Sequence, residues 1–249
     1  MNCYYLPGWD IGPVEMAESA IKYFNNPNFT NYNVPMFEPR YLYSGMAEDM
    51  FIQYVEELVR HSTNDMDLLS KAICYLSLSD EPYSDAQVKA AIELTKTVKK
   101  CNQKAISNLE NKGDFSKFSS EIKEKIIYEI TNMPLILTNC YYTELYRGVM
   151  NAYCPKTSEY DIEDTRELYA ELAKESLGEQ WWYTCMDPIY PYPSLDIDDF
   201  LIGNRIIKWM QNDYGVEGYL YYATNFYWNF STQTLVNPYE DPNRYKSKT

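Results

Sequence analysis

The sequence predicts an α/β fold in which helices connect parallel strands. Short apolar runs alternate with segments of helical apolar spacing along the 249 residues, and connections of this length suit parallel crossovers. Hydrophobic residues make up 45% of the chain and charged residues 23%, which is the balance of a packed globular protein. A single α/β domain can have this length. An open sheet and a barrel both fit these observations.

About five strands are expected, each a short apolar run bounded by polar or turn-forming residues. They lie at residues 73–78, 134–138, 149–154, 180–185 and 216–223. The first of them, ICYLSL, contains β-prone residues and is followed by polar residues and Pro82. Such a run is typical of a strand that is buried on both faces.

Helices are predicted before the first strand and between the later ones. Their approximate ranges are 14–24, 46–61, from about 85 onward, 162–176 and 198–214. Ser84 and Gln87 form a capping box at the start of the third helix, and Asp161 caps the fourth. Gly178 and Gly215 end the last two helices.

The composition argues against several classes of protein. A net charge of -14 would repel phosphate backbones and anionic lipid headgroups, so we expect no nucleic-acid partner. The cysteines include no C-x-x-C pair and the chain has a single histidine, His61, so no metal site is expected. No apolar run reaches the roughly 18 residues that a membrane span needs, and the start, MNCYYLPGWD, lacks the features of a signal peptide. These patterns predict neither a compartment nor an oligomeric state.

Two adjacent carboxylates, Asp80 and Glu81, follow the first predicted strand and precede Pro82. Neighbouring residues of a regular strand point to opposite faces, so both acids share a site only if the chain leaves strand geometry between them. Pro82 favours this, because it offers no N–H to a neighbouring strand and biases Glu81 to extended or polyproline dihedrals. A simpler interpretation is that both acids are turn residues that favour the positive N-terminus of the following helix.

Polar and aromatic side chains collect near the carboxyl ends of the predicted strands, where parallel α/β folds bind their ligands. The candidates for substrate binding are Asn139, Tyr153, Trp182, Tyr183, Tyr222, Asn225 and Trp228. The chain contains 26 tyrosines, whose rings either fill a core or line a wet binding cleft. Alternation along the strand assigns one or two of residues 181–183 to the core, and satisfying loop backbone is the simpler role for Asn139 and Asn225.

Three motifs follow one another along the chain: YLSLSDEP at 75–82, WWYTCMDPIYPYPSLDIDDFLIGNRIIKWM at 181–210 and YGVEGYLYYATNFYW at 214–228. Together they resemble the catalytic domain of glycoside hydrolase family 123 and its relatives over about residues 47–241. The resemblance implies a (β/α)8 TIM-like barrel. Few strands precede ICYLSL, so the barrel is expected to be incomplete in this chain.

The chain is expected to divide into two regions. Residues 1–45 would form an N-terminal segment with early barrel elements. Residues 46–249 would form the barrel domain of the catalytic type, with a helical insertion near 101–132.

The resemblance also implies an activity. It is that of a glycosidase acting on terminal β-linked N-acetylhexosamine, with N-acetylgalactosamine favoured, through retaining, substrate-assisted catalysis. Glu81 would be the general acid/base and Asp80 the group that orients the 2-acetamido, with a carbohydrate partner and no metal or other cofactor. Adjacent acids suit this chemistry, because the nucleophile is part of the substrate. The alternatives are a non-catalytic carbohydrate-binding or scaffold protein on a degenerate barrel, and an ordinary hydrolase whose two carboxylates flank the bond.

Overall fold

Six parallel strands form one sheet, and their order in the sheet is their order in the chain. The computed structural model describes residues 12–35, 46–76, 79–139, 142–175, 179–185, 187–195, 200–221, 228–229, 234–235 and 237. The strands are β1 (Tyr32–Asn33), β2 (Ala72–Tyr75), β3 (Leu135–Asn139), β4 (Ala152–Pro155), β5 (Glu179–Thr184) and β6 (Gly218–Tyr221). A separate antiparallel pair joins β7 (Trp228–Asn229) to β8 (Thr234–Leu235). The five strands predicted from the sequence correspond to β2 through β6.

Six α-helices lie within the described residues: α1 (Pro13–Phe24), α2 (Ala47–His61), α3 (Asp85–Lys112), α4 (Ser120–Thr131), α5 (Glu163–Glu175) and α6 (Gly203–Asp213). The predicted capping box begins α3, where Ser84 Oγ accepts a hydrogen bond from the N–H of Gln87 at 3.4 Å. The α3 helix continues to Lys112 and ends at Gly113 in the left-handed conformation. Residues 101–132 therefore comprise the end of α3, a short 3-10 turn and α4. No described helix is both long enough and apolar enough to cross a membrane.

The helices pack on one face of the sheet. Right-handed crossover connections place their helices on the same face of a sheet while the strand order runs in one direction. Helices cover both faces only where the strand order reverses, as in a doubly wound sheet. The core on this outer face contains apolar side chains from all six helices, such as Phe51 of α2, Val88 of α3 and Ile207 of α6. The sheet curls around its other face as a half-barrel. The described strands thus form a partial (β/α) barrel of six strands, and closure into eight strands is not seen among them.

A cluster of tyrosines packs on the outer face of β3 and β4. The described part of the connection between these strands contains a short 3-10 turn, Glu144–Tyr146, and no α-helix. Tyr142, Tyr153 and Tyr169 contact one another there, with ring centroids 6.1 to 6.4 Å apart. Tyr160 stacks on Tyr169 at 5.8 Å. Part of the tyrosine surplus in the composition therefore fills the core behind the sheet.

Candidate active site

A second, smaller apolar layer covers the concave face of the half-barrel. Its buried members come from alternate positions of β2 through β5 and are Ile73, Ile136, Ala152, Cys154, Trp181 and Tyr183. Tyr75 and Leu220 are partly buried against it. Because side chains alternate between the two faces of a strand, the next residue in each of these strands points to the helices instead. This inner layer is the floor on which the candidate site is built.

Asp80 and Glu81 lie just beyond the carboxyl end of β2, where the chain turns. Glu81 has a φ of 46°, and no other non-glycine residue within the described ranges has a positive φ. The expectation of extended or polyproline dihedrals at Glu81 is therefore wrong. A left-handed conformation costs an L-residue about 1–2 kcal/mol. The contacts of Glu81 described below outweigh its local preference. Because β2 ends at Tyr75, neither acid is bound by strand alternation, and hydrogen bonds place both at the concave face.

The carboxylate of Asp80 is held by two hydroxyl groups of the inner layer. Its Oδ1 accepts a hydrogen bond from the Tyr75 hydroxyl at 2.7 Å and another from Thr138 Oγ1 at 2.5 Å. Tyr75 comes from β2 and Thr138 from the carboxyl end of β3. Both bonds reach the same oxygen, and among the described residues no hydrogen bond reaches Oδ2.

Glu81 is held in a similar way. Its Oε1 accepts a hydrogen bond from the hydroxyl of Tyr183 on β5, and its backbone N–H donates to Thr138 Oγ1 at 3.3 Å. Three strands therefore contribute hydroxyl groups to this corner of the half-barrel. The structure brings Asp80, Glu81 and Tyr183 together at the carboxyl end of the sheet, where the sequence predicts a ligand site.

Burial and charge fix the protonation of the neighbouring groups. Burial raises the pKa of Tyr75 well above its ordinary value, and the charge of Asp80 raises it further, so the phenol stays protonated and can donate. Burial followed by the charge of Asp80 also raises the pKa of the Cys154 thiol. A neutral, buried thiol is a poor nucleophile. Among the described groups of this corner, the two carboxylates are therefore the candidates for acid–base chemistry.

A comparison with known protein families finds a match over nearly the whole chain. Residues 1–248 match the family model for the glycoside hydrolase 123 catalytic domain. The chain belongs to glycoside hydrolase family 123. A search of curated proteins finds no match to this chain. Membership in family 123 confirms the resemblance carried by the three sequence motifs, and it identifies a glycoside hydrolase domain with a carbohydrate substrate.

Three predicted substrate-binding residues of the family 123 domain lie on the outer face of the sheet. Asn139 is fully buried and donates from Nδ2 to the Tyr169 hydroxyl at 2.6 Å. Tyr153 belongs to the tyrosine layer behind the sheet, and Trp182 is fully buried with its ring edge-on to Tyr160 at 5.4 Å. These three residues do not lie beside the two acids, because each occupies the strand position that alternates away from the inner layer. Their part in substrate binding stays a prediction.

The remaining candidates are not placed relative to the two acids. Tyr222 and Asn225 lie outside the described residues, and Trp228 opens β7, where only the backbone is described. Tyr75 and Thr138 contact the acids, although neither is among the predicted substrate-binding residues. Their signal is periodicity: Tyr75 is two residues after inward-facing Ile73, and Thr138 stands in the same relation to Ile136 on β3.

A cavity of about 390 Å³ opens elsewhere in the family 123 domain, on the helix side of the sheet. Arg147 and Lys99 line it, but Arg147 is paired with Glu144 and Glu175, and Lys99 donates to the carbonyl oxygen of Val149. No acid of the site lines this cavity, so the concave corner remains the candidate active site. Within the described residues, no cluster of three or more His, Cys, Asp or Glu side chains is arranged to hold a metal ion.

Proposed function

We propose that this domain hydrolyses terminal β-linked N-acetylhexosaminides, with N-acetylgalactosamine favoured, by retaining, substrate-assisted catalysis. Glu81 is the general acid/base, and Asp80 orients the 2-acetamido group of the sugar. The observation that carries the proposal is the convergence of two adjacent carboxylates on one corner of the concave face. Tyr183, which the sequence predicts to bind the substrate, donates a hydrogen bond to Glu81.

The two acids lie on one turn rather than facing each other across a pocket. Thr138 Oγ1 is within hydrogen-bond distance of both Asp80 Oδ1 and the N–H of Glu81. Glycosidases with two flanking carboxylates separate them by about 5–9.5 Å on opposite faces of the sugar ring. Adjacent acids that share one hydroxyl group fit better with a nucleophile supplied by the substrate. This argument favours the substrate-assisted mechanism over the ordinary hydrolase.

The first step forms a bond within the sugar. The acetamido oxygen attacks the anomeric carbon while Glu81 gives its proton to the glycosidic oxygen, which leaves as an alcohol. The electron pair of the broken bond stays with that oxygen, and the sugar becomes an oxazolinium ion. Asp80 accepts a hydrogen bond from the acetamido N–H. This bond increases the nucleophilicity of the acetamido oxygen and stabilises the positive charge of the intermediate.

In the second step Glu81 acts as a base instead of an acid. Glu81, now ionised, takes a proton from a water molecule that attacks the anomeric carbon and reopens the ring to the acetamido group. Two inversions at the anomeric carbon give overall retention. Among the described residues, the hydrogen bonds from Tyr75, Thr138 and Tyr183 use one oxygen of each acid, and the other oxygen of each suits these roles.

The decisive experiment removes the acid while keeping its shape. Glu81→Gln is expected to lower kcat/KM for a chromogenic N-acetyl-β-galactosaminide by about 100-fold or more, since a positioned acid contributes at least this much. Glu124→Gln, an exposed position on α4, is the matched control and should retain parental activity. An equally fast Glu81→Gln variant would refute the assignment.

A substrate pair tests the role of the acetamido group. The parent should cleave the N-acetyl-β-galactosaminide and leave the corresponding β-galactoside, which lacks the acetamido, intact. Equal cleavage of both would support the ordinary two-carboxylate hydrolase instead. Sugar binding by the parent without any turnover would support the non-catalytic carbohydrate-binding alternative.

A further inference from the structure

We propose that Thr138 is a positioning residue that fixes Asp80 and Glu81 relative to each other through one hydroxyl group. The inference rests on the proposed function, because it assigns Thr138 a part in aiming the two carboxylates at the substrate. Thr138 itself is not required to touch the sugar.

The chemistry of a hydroxyl group makes this double contact directional. Thr138 has one proton to donate and two lone pairs to accept with. An ionised carboxylate only accepts, so the proton of Oγ1 points to Asp80 Oδ1. A lone pair then remains for the backbone N–H of Glu81. A single oxygen therefore binds the side chain of one acid and the main chain of the other.

Thr138 is well placed to act as a fixed reference point. It is 1% exposed and lies in β3, which is paired with β2 on one side and β4 on the other. Its β-branched side chain has restricted χ1 freedom. The acids belong to a turn that contains the left-handed Glu81, so their geometry depends on such outside contacts.

The hydrogen bond from Thr138 helps to set the orientation of the Asp80 carboxylate. Tyr75 and Thr138 both donate to Oδ1, so rotation of the carboxylate would break two hydrogen bonds together. The orientation of Oδ2, the oxygen that faces the acetamido N–H in the proposed mechanism, follows from these two bonds. Small displacements of reacting groups reduce the rate steeply, so loss of the Thr138 hydroxyl should lower kcat more than it raises KM.

The test compares two substitutions at one position with a matched substitution at another. Thr138→Val removes the hydroxyl at nearly constant volume and should lower kcat by about 10-fold or more, whereas Thr138→Ser keeps the hydroxyl and should stay within about 3-fold of the parent. Thr184→Val is the control, because Thr184 is equally buried at the end of β5 but its hydroxyl contacts Tyr219 on the outer face. It should retain parental kcat.

A double-mutant cycle separates positioning from general stability. If Thr138 acts through Asp80, Thr138→Val should cost clearly less in an Asp80→Ala background than in the parent, because the group it holds is gone. Equal losses in both backgrounds, or a Thr138→Ser variant as slow as Thr138→Val, would overturn the inference.

Crystal structures of the parent, Thr138→Val and Thr138→Ser test the tether independently of any activity. The carboxylate of Asp80 should turn away from its position in the Val variant and keep it in the Ser variant. Unchanged positions of Asp80 and Glu81 in the Val variant would refute the inference. A parent that cleaves no N-acetylhexosaminide would refute the proposed function, and the same structures would still decide whether Thr138 holds the acids.

Discussion

Replacing Gly218 by alanine should disrupt the inner layer beneath the candidate site. Gly218 of β6 lies in register with Trp181 of β5. A Cβ added to Gly218 would lie 1.9 Å from Cδ2, 2.2 Å from Cε2 and 2.4 Å from Cε3 of the Trp181 indole. Carbon atoms in contact are normally about 3.5–4.0 Å apart, so the indole or the strand has to move by about 1.5 Å.

The structure leaves the indole little room for such a movement. Trp181 is 3% exposed, and its Nε1 donates to Glu179 Oε2 at 3.0 Å. Overpacking of a filled core costs roughly 1–3 kcal/mol, and a rigid ring that meets the new atom through three of its carbons belongs at the upper end. We expect Gly218→Ala to lower the free energy of unfolding by about 3 kcal/mol, a large share of the roughly 5–15 kcal/mol of an ordinary domain.

Urea unfolding followed by circular dichroism measures the effect, and a second glycine supplies the control. Gly203, at the start of α6, is also buried, but a Cβ there would meet its nearest neighbour, Pro193 Cβ, at 3.7 Å. Gly203→Ala should therefore change stability by less than about 0.5 kcal/mol. Combining Gly218→Ala with Trp181→Leu should cost less than the sum of the single changes. A Gly218→Ala variant with parental stability would refute the packing argument.

Two further predictions concern the outer core. Burial alone would raise the pKa of Glu56, but hydrogen bonds led by that of Lys112 hold it below its ordinary value of 4.5. The stabilisation by Glu56 is therefore present above about pH 4.5 and lost as pH falls through the lower folded pKa, so Glu56→Gln should flatten the decline of urea midpoints on acidification. An unchanged decline would contradict this. Ser84→Ala removes the N-cap of α3 and should cost about 1 kcal/mol in the same assay, whereas Ser107→Ala, exposed within that helix, should cost nothing. Equal effects of the two serine substitutions would argue against capping.

Much of the fold follows from local patterns in the sequence. The apolar runs that predict β2 through β6 are long enough to be recognised alone, and the capping box of α3 is a local signal. The β1 strand is different, because it has two residues and its bonds come from a neighbour. The N–H of Val34 donates to the carbonyl of Ile73, and Asn33 Oδ1 accepts from the N–H of Tyr75. Such a strand exists through tertiary pairing, which no local pattern contains.

The candidate site could be predicted in part. Asp80 and Glu81 were singled out by the family resemblance, because two acids before a proline also suit an ordinary turn. Tyr183 was singled out by its position near the carboxyl end of a strand. Asn139 and Trp182 fail as neighbours of the acids because the phase of side-chain alternation cannot be read from strand ends alone. A shift of one residue moves a side chain to the opposite face of the sheet. Thr138 rather than Asn139 therefore reaches the concave face.

The tyrosine layer behind the sheet has an optical consequence. Trp182 lies edge-on to Tyr160 at 5.4 Å and to Tyr214 at 6.3 Å. At such short separations, excitation energy absorbed by Tyr160 or Tyr214 passes to the Trp182 indole. Unfolding separates these two phenols from Trp182 and so lowers this energy transfer. The molecule thus carries a built-in fluorescent reporter of the packing on its helix-covered side.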